Sequence, residues 1–233
     1  MGQSGAENRD IVYILKSDVE PNELRYSLRS LENFPHGKVW FFCGCPKGIR
    51  PDEFVPFKQT GNRKFEMATS TYKAIAKSDV TDDFWMFNDD FFILEKVEEF
   101  PYMFNGTLGE YVAHLRSMNR VHPYARRLDR TRVHLENKGL GTLNYALHIP
   151  MLFNKAKVLE TLRVFPDDPM FRSLYGNLHK VGGVDSRDFK ISDLETIPEG
   201  WPLVSTYEES FNKGKVGEWI RARFPKPSRW EEE

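Results

Sequence analysis

The sequence Asn88-Asp89-Asp90 stands between two intensely apolar segments, FWMF at 84–87 and FFIL at 91–94. Ionised carboxylates in such a setting are costly to bury unless they are paired or bind a metal. On extended backbone, side chains alternate, so Asn88 and Asp90 are expected on one face and Asp89 on the other. Oxygen-bearing side chains at a strand end suit a hard divalent cation, with phosphate oxygens completing its shell. A turn in which Asn and Asp satisfy local backbone groups is the alternative. The apolar flanks favour the cation.

Four further groups of residues have chemical potential. His148 lies in YALHIP, between apolar neighbours and before Pro150. It is open to reading as a metal ligand, a base or a hydrogen-bonded core residue. Arg25 and Arg29 are spaced i, i+4 beside a leucine stripe, and their guanidinium forks suit phosphate. A solvated face paired with acids such as Glu32 is the plainer reading of both. The segment 116–138 carries seven Lys and Arg against two acids, with His122, Tyr124 and His134 interleaved. A basic stretch with aromatics suits a phosphodiester backbone, and Arg126, Arg127 and Arg130 lie at its centre. A solvated surface loop is the other reading. Lys213 and Lys215 flank Gly214 ahead of the last helical pattern, a fair but unspecific anion site. There is no Walker loop, GxGxxG, GxSxG or HExxH pattern, which counts against P-loop kinases, dinucleotide enzymes, α/β-hydrolases and zincins.

The elements that must position these residues alternate in type. Apolar runs at 11–15 (IVYIL), 39–43 (VWFFC) and 84–87 read as buried strands, with a short one near 54–57 and another at 91–94. Leu24, Leu28 and Leu31 mark a helix from Glu23, ended by Pro35 and Gly37. A second helix is expected over 64–77. Strands separated by helices predict an α/β fold with a largely parallel sheet, whose ligand sites lie at the strands' carboxyl ends. Further on, 145–149 (YALHI) reads as a strand, 154–162 and 171–179 as helices, Gly182-Gly183 as a turn, and 215–224 as an amphipathic helix. The tail 229–233 is expected to be loose.

The 233 residues suit one domain with a C-terminal lobe. The expected organisation is a tail over 1–9, a domain over 10–228 divided near 110 into two halves, and the tail 229–233. A hydrophobic share of 40% supports a sizeable core. The formal net charge of -1 leaves nucleic acid neither favoured nor excluded by the whole chain. No apolar run approaches the roughly 18 residues of a membrane span, and the polar start has no signal-type stretch. Cys43 and Cys45, one residue apart, make no disulfide framework and an incomplete zinc site. They read as strand-end core thiols in a reducing, cytoplasmic compartment, without membrane or obligate protein partner.

Several segments resemble the Stealth proteins, sugar-phosphate transferases of capsule synthesis that include the lysosomal GlcNAc-phosphotransferase. They are DIVY at 10–13, NELRYSLRSL at 22–31, FNDDF at 87–91, and YALHIP at 145–150 followed by Phe165-Pro166. The tryptophan-valine-aspartate continuation of the first region is missing, and the first two regions are nearly fused. The ending, with SFNKG at 210–214, VGEWI at 216–220 and FPKPS at 224–228, is similar to compact phage-type glycosyltransferases, some of which decorate modified bases in DNA. Both resemblances imply a GT-A-like, Rossmann-like fold in which a strand-end acidic motif holds Mn2+ or Mg2+ against a diphosphate.

On that basis Asp90 takes the place of the cation ligand, with Asp89 and His148 as further ligands, His148 doubling as acid/base. Asn88 faces the ribose or sugar. Arg25 and Arg29 correspond to the active-site helix. Lys213 and Lys215 close over the diphosphate. The expected activity is metal-dependent transfer of a sugar from a nucleotide sugar, UDP-linked by preference, to an acceptor hydroxyl. The basic 116–138 segment points to DNA, such as a hydroxymethylated pyrimidine turned out of the duplex, and to a host cytoplasm if the chain is phage-encoded. The alternatives are Stealth-like hexose-1-phosphate transfer to a saccharide and a non-catalytic module that binds nucleic acid or sugar.

Overall fold

The computed structural model describes residues 9–16, 22–58, 64–118, 123–166, 170–192 and 197–232. Its centre is a five-stranded sheet in the order β3-β2-β1-β4-β7. The strands are β1 (Asp10–Leu15), β2 (Val39–Cys43), β3 (Glu53–Val55), β4 (Asp83–Phe87) and β7 (Met151–Asn154). All pair in parallel except β7, which runs antiparallel to β4. Helices cover both faces. On one, α1 (Asn22–Ser30) places Leu24 and Leu28 against Ile11, Tyr13, Phe41 and Phe87. On the other, Ile75 of α2 (Lys64–Ala76), Val158 of α5 (Lys155–Val164) and Tyr175 of α6 (Phe171–Leu178) pack on Val12, Phe42, Phe84 and Phe153. Strands covered on both sides need apolar residues at every position, which is why β1, β2 and β4 read as unbroken apolar runs. This is an α/β fold with a mostly parallel sheet between helices.

Two smaller assemblies follow. β5 (Phe91–Ile93), β10 (Leu203–Thr206) and β9 (Lys190–Ile191) form a three-stranded sheet in that order. α7 (Glu208–Lys213) and α8 (Lys215–Arg223) pack against it through Phe92, Val204, Phe211, Val216 and Ile220. A Cβ on Gly217 would lie 1.7 Å from the Phe211 carbonyl oxygen, so only glycine permits this close approach of α8 to α7. β6 (Met103–Phe104) pairs with β8 (Val184–Asp185). α3 (Leu108–Ser117) and α4 (Pro123–Glu136) share a cluster with α6 built on Val112, Leu128, Leu135 and Leu174.

Three expectations are corrected. Residues 145–149 are not a strand; the strand begins after Pro150, at Met151. The backbone of 145–149 is satisfied by side chains instead of a neighbouring strand. The Tyr145 amide donates to Ser173 Oγ and the His148 amide to Asp188, while Arg172 Nη1 donates to the carbonyls of Leu147 and Ile149. The tail is not loose over 229–232. Trp230 is buried, its carbonyl accepts from the Arg50 amide, and the Glu232 amide donates to Gly48. Lys213, expected ahead of the last helical pattern, instead ends a helix of its own, α7.

Candidate active site

β4 ends at Phe87, and the chain reverses at once into β5 through a turn closed by Phe91 N donating to Asn88 O at 3.4 Å. The turn breaks the alternation expected of extended backbone. Asn88 is exposed while Asp90 is buried, so the two do not share a face. Asp90 Oδ2 accepts from Lys190 Nζ at 2.7 Å and from Ser205 Oγ at 2.8 Å. Asp90 Oδ1 is also buried and has no hydrogen-bond partner among the described residues. An orphaned carboxylate oxygen at a sheet edge is a costly feature unless something positive comes to it.

Two more carboxyl groups feel the same field. Glu23, in the first turn of α1, accepts from Thr206 Oγ1 at 2.7 Å. Burial pushes its pKa up to about 7 with help from the charges of Asp90 and Asp89, against the opposing Thr206 hydrogen bond and Lys190. Asp89 is raised as well, by burial first and by Asp90 next. Lys190, and Lys16 acting on Asp89, therefore face a surplus of negative charge. The donor set suits a hard cation that keeps substrate phosphates and water as its other ligands. Asp90 Oδ1 would hold it, with Asp89 as its neighbour. No group of three or more His, Cys, Asp or Glu side chains among the described residues is gathered for an all-protein metal cage.

His148 is held by Asp188 through both its ring and its amide. Its ring Nδ1 lies 2.8 Å from Asp188 Oδ2, and its amide donates to Asp188 Oδ1 at 2.9 Å. With Nδ1–H donated to the carboxylate, Nε2 carries the lone pair, the tautomer a general base requires. Burial alone would raise Asp188, but the hydrogen bonds from His148 outweigh it and hold the carboxyl below its usual value. Arg172 Nη1 clamps both carbonyls that flank the histidine, Leu147 at 2.8 Å and Ile149 at 2.6 Å. Lys190 joins the dyad to the acidic turn. Its amide donates to Asp188 Oδ1 at 3.3 Å, and its ammonium reaches Asp90. Asp188 and Lys190 lie on one side of an alternating polar-apolar run with Phe189 and Ile191, a signal that could have revealed them. Glu23 had a weaker one, an acid in the first turn of the helix after the first strand.

The other candidate residues are placed elsewhere. Arg25 and Arg29 converge on Glu231, Arg29 Nη2 at 2.7 Å and Arg25 Nη1 at 3.3 Å from Oε2. Both forks thus hold a carboxylate of the chain itself in place of the expected phosphate, because the ordered tail brings Glu231 to them. On α4, Arg126 and Arg130 are exposed and Arg127 is half-buried, its guanidinium 5.9 Å from the Tyr124 ring centroid. The Tyr124 hydroxyl is pushed up to about 12 by burial, then by Tyr111 and by the charge of Asp188, so the start of α4 lies within electrostatic reach of the dyad. Part of the basic segment is neutralised internally, since Arg116 and Arg132 pair with Asp129 and Arg132 also with Glu136. Lys213 is largely exposed and pairs with Glu209 at 3.5 Å. It shares a cleft with Tyr207, whose ring lies 4.6 Å from Lys190 Nζ. Lys215 opens α8.

No protein-family model matches the chain, and no curated protein matches it. Among solved structures it is similar to the glycosyltransferase GlyE of Streptococcus pneumoniae TIGR4, at a TM-score of 0.36 and 11% identity, over 94% of this chain and 50% of that one. The chain thus spans about half the length of that protein, and a likeness at this level carries no functional argument. No helix among the described residues is long and apolar enough to cross a membrane.

Proposed function

We propose that the chain is a glycosyltransferase that moves a sugar from a nucleotide-sugar donor to an acceptor hydroxyl. The observation that carries this reading is Asp90. It is a buried carboxylate at the carboxyl end of a parallel strand, with one oxygen held by Lys190 and Ser205 and the other without a partner among the described residues. Carboxyl ends of parallel strands are where α/β sheets bind ligands.

In this reading His148 Nε2 takes the proton from the acceptor hydroxyl as its oxygen attacks the anomeric carbon. The bond from that carbon to the diphosphate breaks, and the diphosphate leaves with the electron pair. Asp188 steadies the imidazolium that forms. Lys190 offers positive charge beside the acidic turn, toward the leaving group. Asp90 and Asp89 would hold Mn2+ or Mg2+, which would supply further positive charge to the diphosphate. DNA as acceptor is supported by the exposed Arg126 and Arg130 on the helix whose first turn reaches toward Asp188. Sugar-phosphate transfer of the Stealth type would use the same groups and break a different bond, and the mass of the product separates the two.

The test is a thermal-shift screen of nucleotide sugars with and without Mn2+. A donor bound only to the folded state raises the melting midpoint by mass action. The expected result is stabilisation by one nucleotide sugar that depends on Mn2+ and disappears in Asp90→Ala. If no nucleotide sugar stabilises the protein under either condition, the reading falls and a non-catalytic module takes its place.

A further inference from the structure

We propose that Tyr207 is the stacking surface for the nucleobase of the donor, and that the cleft beside it receives the base. The inference rests on the reading of the chain as a nucleotide-sugar enzyme and assigns the base its subsite. β10 directs three consecutive residues at one place. Ser205 Oγ donates to Asp90 and Thr206 Oγ1 donates to Glu23. Tyr207 follows them at the carboxyl end of the strand and is 53% exposed. A tyrosine is a large planar ring with few rotatable bonds, so an exposed one can hold another ring at small entropic cost.

The cleft suits a neutral ring better than a further phosphate. It measures about 480 Å³ and is lined by Ser192, Tyr207, Glu209, Ser210, Lys213 and Gly214. Lys213 and Glu209 pair with each other at 3.5 Å, so its two charged groups offset one another. A serine hydroxyl both donates and accepts, and two of them match the mixed donor and acceptor edge of a base. Lys190 Nζ lies 4.6 Å from the centroid of the Tyr207 ring, a favourable contact that steadies the ring. The same ammonium lies 2.7 Å from Asp90 Oδ2. One lysine head therefore separates the ring from the carboxylate, as a ribose separates the base from the diphosphate in a nucleotide.

The position assigns the base to the donor and not to an acceptor. Lys190 has two ends with different neighbours. Its amide donates to Asp188, the partner of His148, and its ammonium reaches Asp90 and Tyr207. Tyr207 thus stands on the side of the acidic turn. The first turn of α1, which carries Glu23, also meets α7 there, with Asn22 Nδ2 donating to Asn212 Oδ1 at 3.5 Å. Tyr124 at the start of α4 feels the charge of Asp188 instead. The cation side and the dyad side of Lys190 each have an aromatic of their own.

Isothermal titration calorimetry of the full chain tests it, with UDP, CDP, GDP, ADP and pyrophosphate, each in Mn2+. The parent is compared with Y207F, which keeps the ring, and Y207A, which removes it. Tyr207 is exposed, and unchanged melting midpoints without ligand establish that both variants are folded. The parent is expected to bind one nucleoside diphosphate more tightly than pyrophosphate. Y207A should bind that nucleotide about tenfold more weakly or worse, the scale of one stacked base. Y207F should bind it as the parent does, and all three proteins should bind pyrophosphate alike. If the parent binds pyrophosphate as tightly as every nucleotide, the base is not held and the inference is overturned while the transfer reading stands. The same holds if Y207A binds the nucleotide as the parent does, or if it loses nucleotide and pyrophosphate equally, which would mean that the ring acts only through Lys190. Weaker binding of an oligonucleotide alone in Y207A would move the base to the acceptor and overturn the assignment. A parent that binds none of the five overturns the transfer reading and this inference with it.

Discussion

Lys190 Nζ lies 2.7 Å from Asp90 Oδ2, with 15% and 10% of the two side chains exposed. The ammonium occupies one oxygen of a carboxylate whose other oxygen is buried and unpartnered among the described residues. It is a counter-charge already built into the place where a cation would sit. Removing it leaves a buried, uncompensated charge, which costs about 3 kcal/mol or more. Lys190→Met should therefore unfold at clearly lower urea concentration. Mn2+ should restore much of that loss in Lys190→Met and none of it in a Lys190→Met, Asp90→Asn double variant. Equal responses to Mn2+ in the two would remove the cation from Asp90.

Glu23 gives a prediction of opposite sign to the usual carboxylate. Its folded-state pKa is raised from 4.5 to about 7, by burial first and by Asp90 and Asp89 next. The folded protein then holds a proton that the unfolded chain has released. The associated stability is fully present below pH 4.5 and is lost as pH rises through about 7. Glu23→Gln keeps a neutral side chain at every pH, so it should be more stable than the parent at pH 8. The difference should shrink toward pH 5 in parallel denaturation curves. A constant difference across that range would show that Glu23 does not titrate in the window.

These carboxylates also show what the sequence could and could not reveal. The strands at 11–15, 39–43 and 84–87 were legible because helices cover both sheet faces, which forces apolar residues at every position. Residues 145–149 have the same apolar look and are no strand, because Ser173, Asp188 and Arg172 supply the bonds a neighbouring strand would have made. Side-chain partners distant in sequence leave no periodic trace. Asp90 stood out against its apolar flanks. Its lysine arrives from β9 and its serine from β10, and only the folded chain brings them together. The ordered tail was hidden for the same reason. One tryptophan among charged residues looks like solvent-exposed chain until Asp52 meets Trp230, and Arg25 and Arg29 meet Glu231.

Glu231 fastens that tail. Its carboxylate accepts from Arg29 Nε at 2.8 Å, Arg29 Nη2 at 2.7 Å and the Ser228 amide at 2.8 Å. Burial would raise its pKa, but these partners win and lower it to about 2. A depressed carboxyl stabilises the fold above its unfolded value and loses that contribution as pH falls from 4.5 toward 2. Glu231→Gln should cost about 2 kcal/mol at neutral pH, the scale of hydrogen bonds to a charged group. It should also flatten the acid limb of the stability curve. An unchanged acid limb would mean the arginines hold the tail without it.

His148 and Asp188 should behave as a unit. On the proposed mechanism His148→Ala removes the base, and Asp188→Asn leaves Nδ1 facing an amide and destabilises the useful tautomer. Each should lower kcat by about 10²- to 10⁴-fold, the usual contribution of a positioned base, with donor-induced thermal shifts unchanged. The double variant should be no worse than the single ones. Added imidazole should partly restore His148→Ala but not Asp90→Ala. Additive losses in the double variant would separate the two residues and remove the dyad.

On the proposed reading, DNA as acceptor is held on α4. Arg126 and Arg130 are exposed on this helix, and Arg127 is packed near Tyr124, which feels the charge of Asp188. Neutralising Arg126, Arg127 and Arg130 together should weaken duplex DNA binding and flatten its salt dependence by about 0.9 for each phosphate released from an arginine. Turnover on a free hydroxymethylated nucleoside, which has no phosphodiester backbone to hold, should be unaffected. Since Asp129 and Glu136 already neutralise Arg116 and Arg132, replacing those two arginines should change DNA binding far less. If the triple variant binds DNA with the parent's affinity and salt slope, the acceptor is not held on this helix.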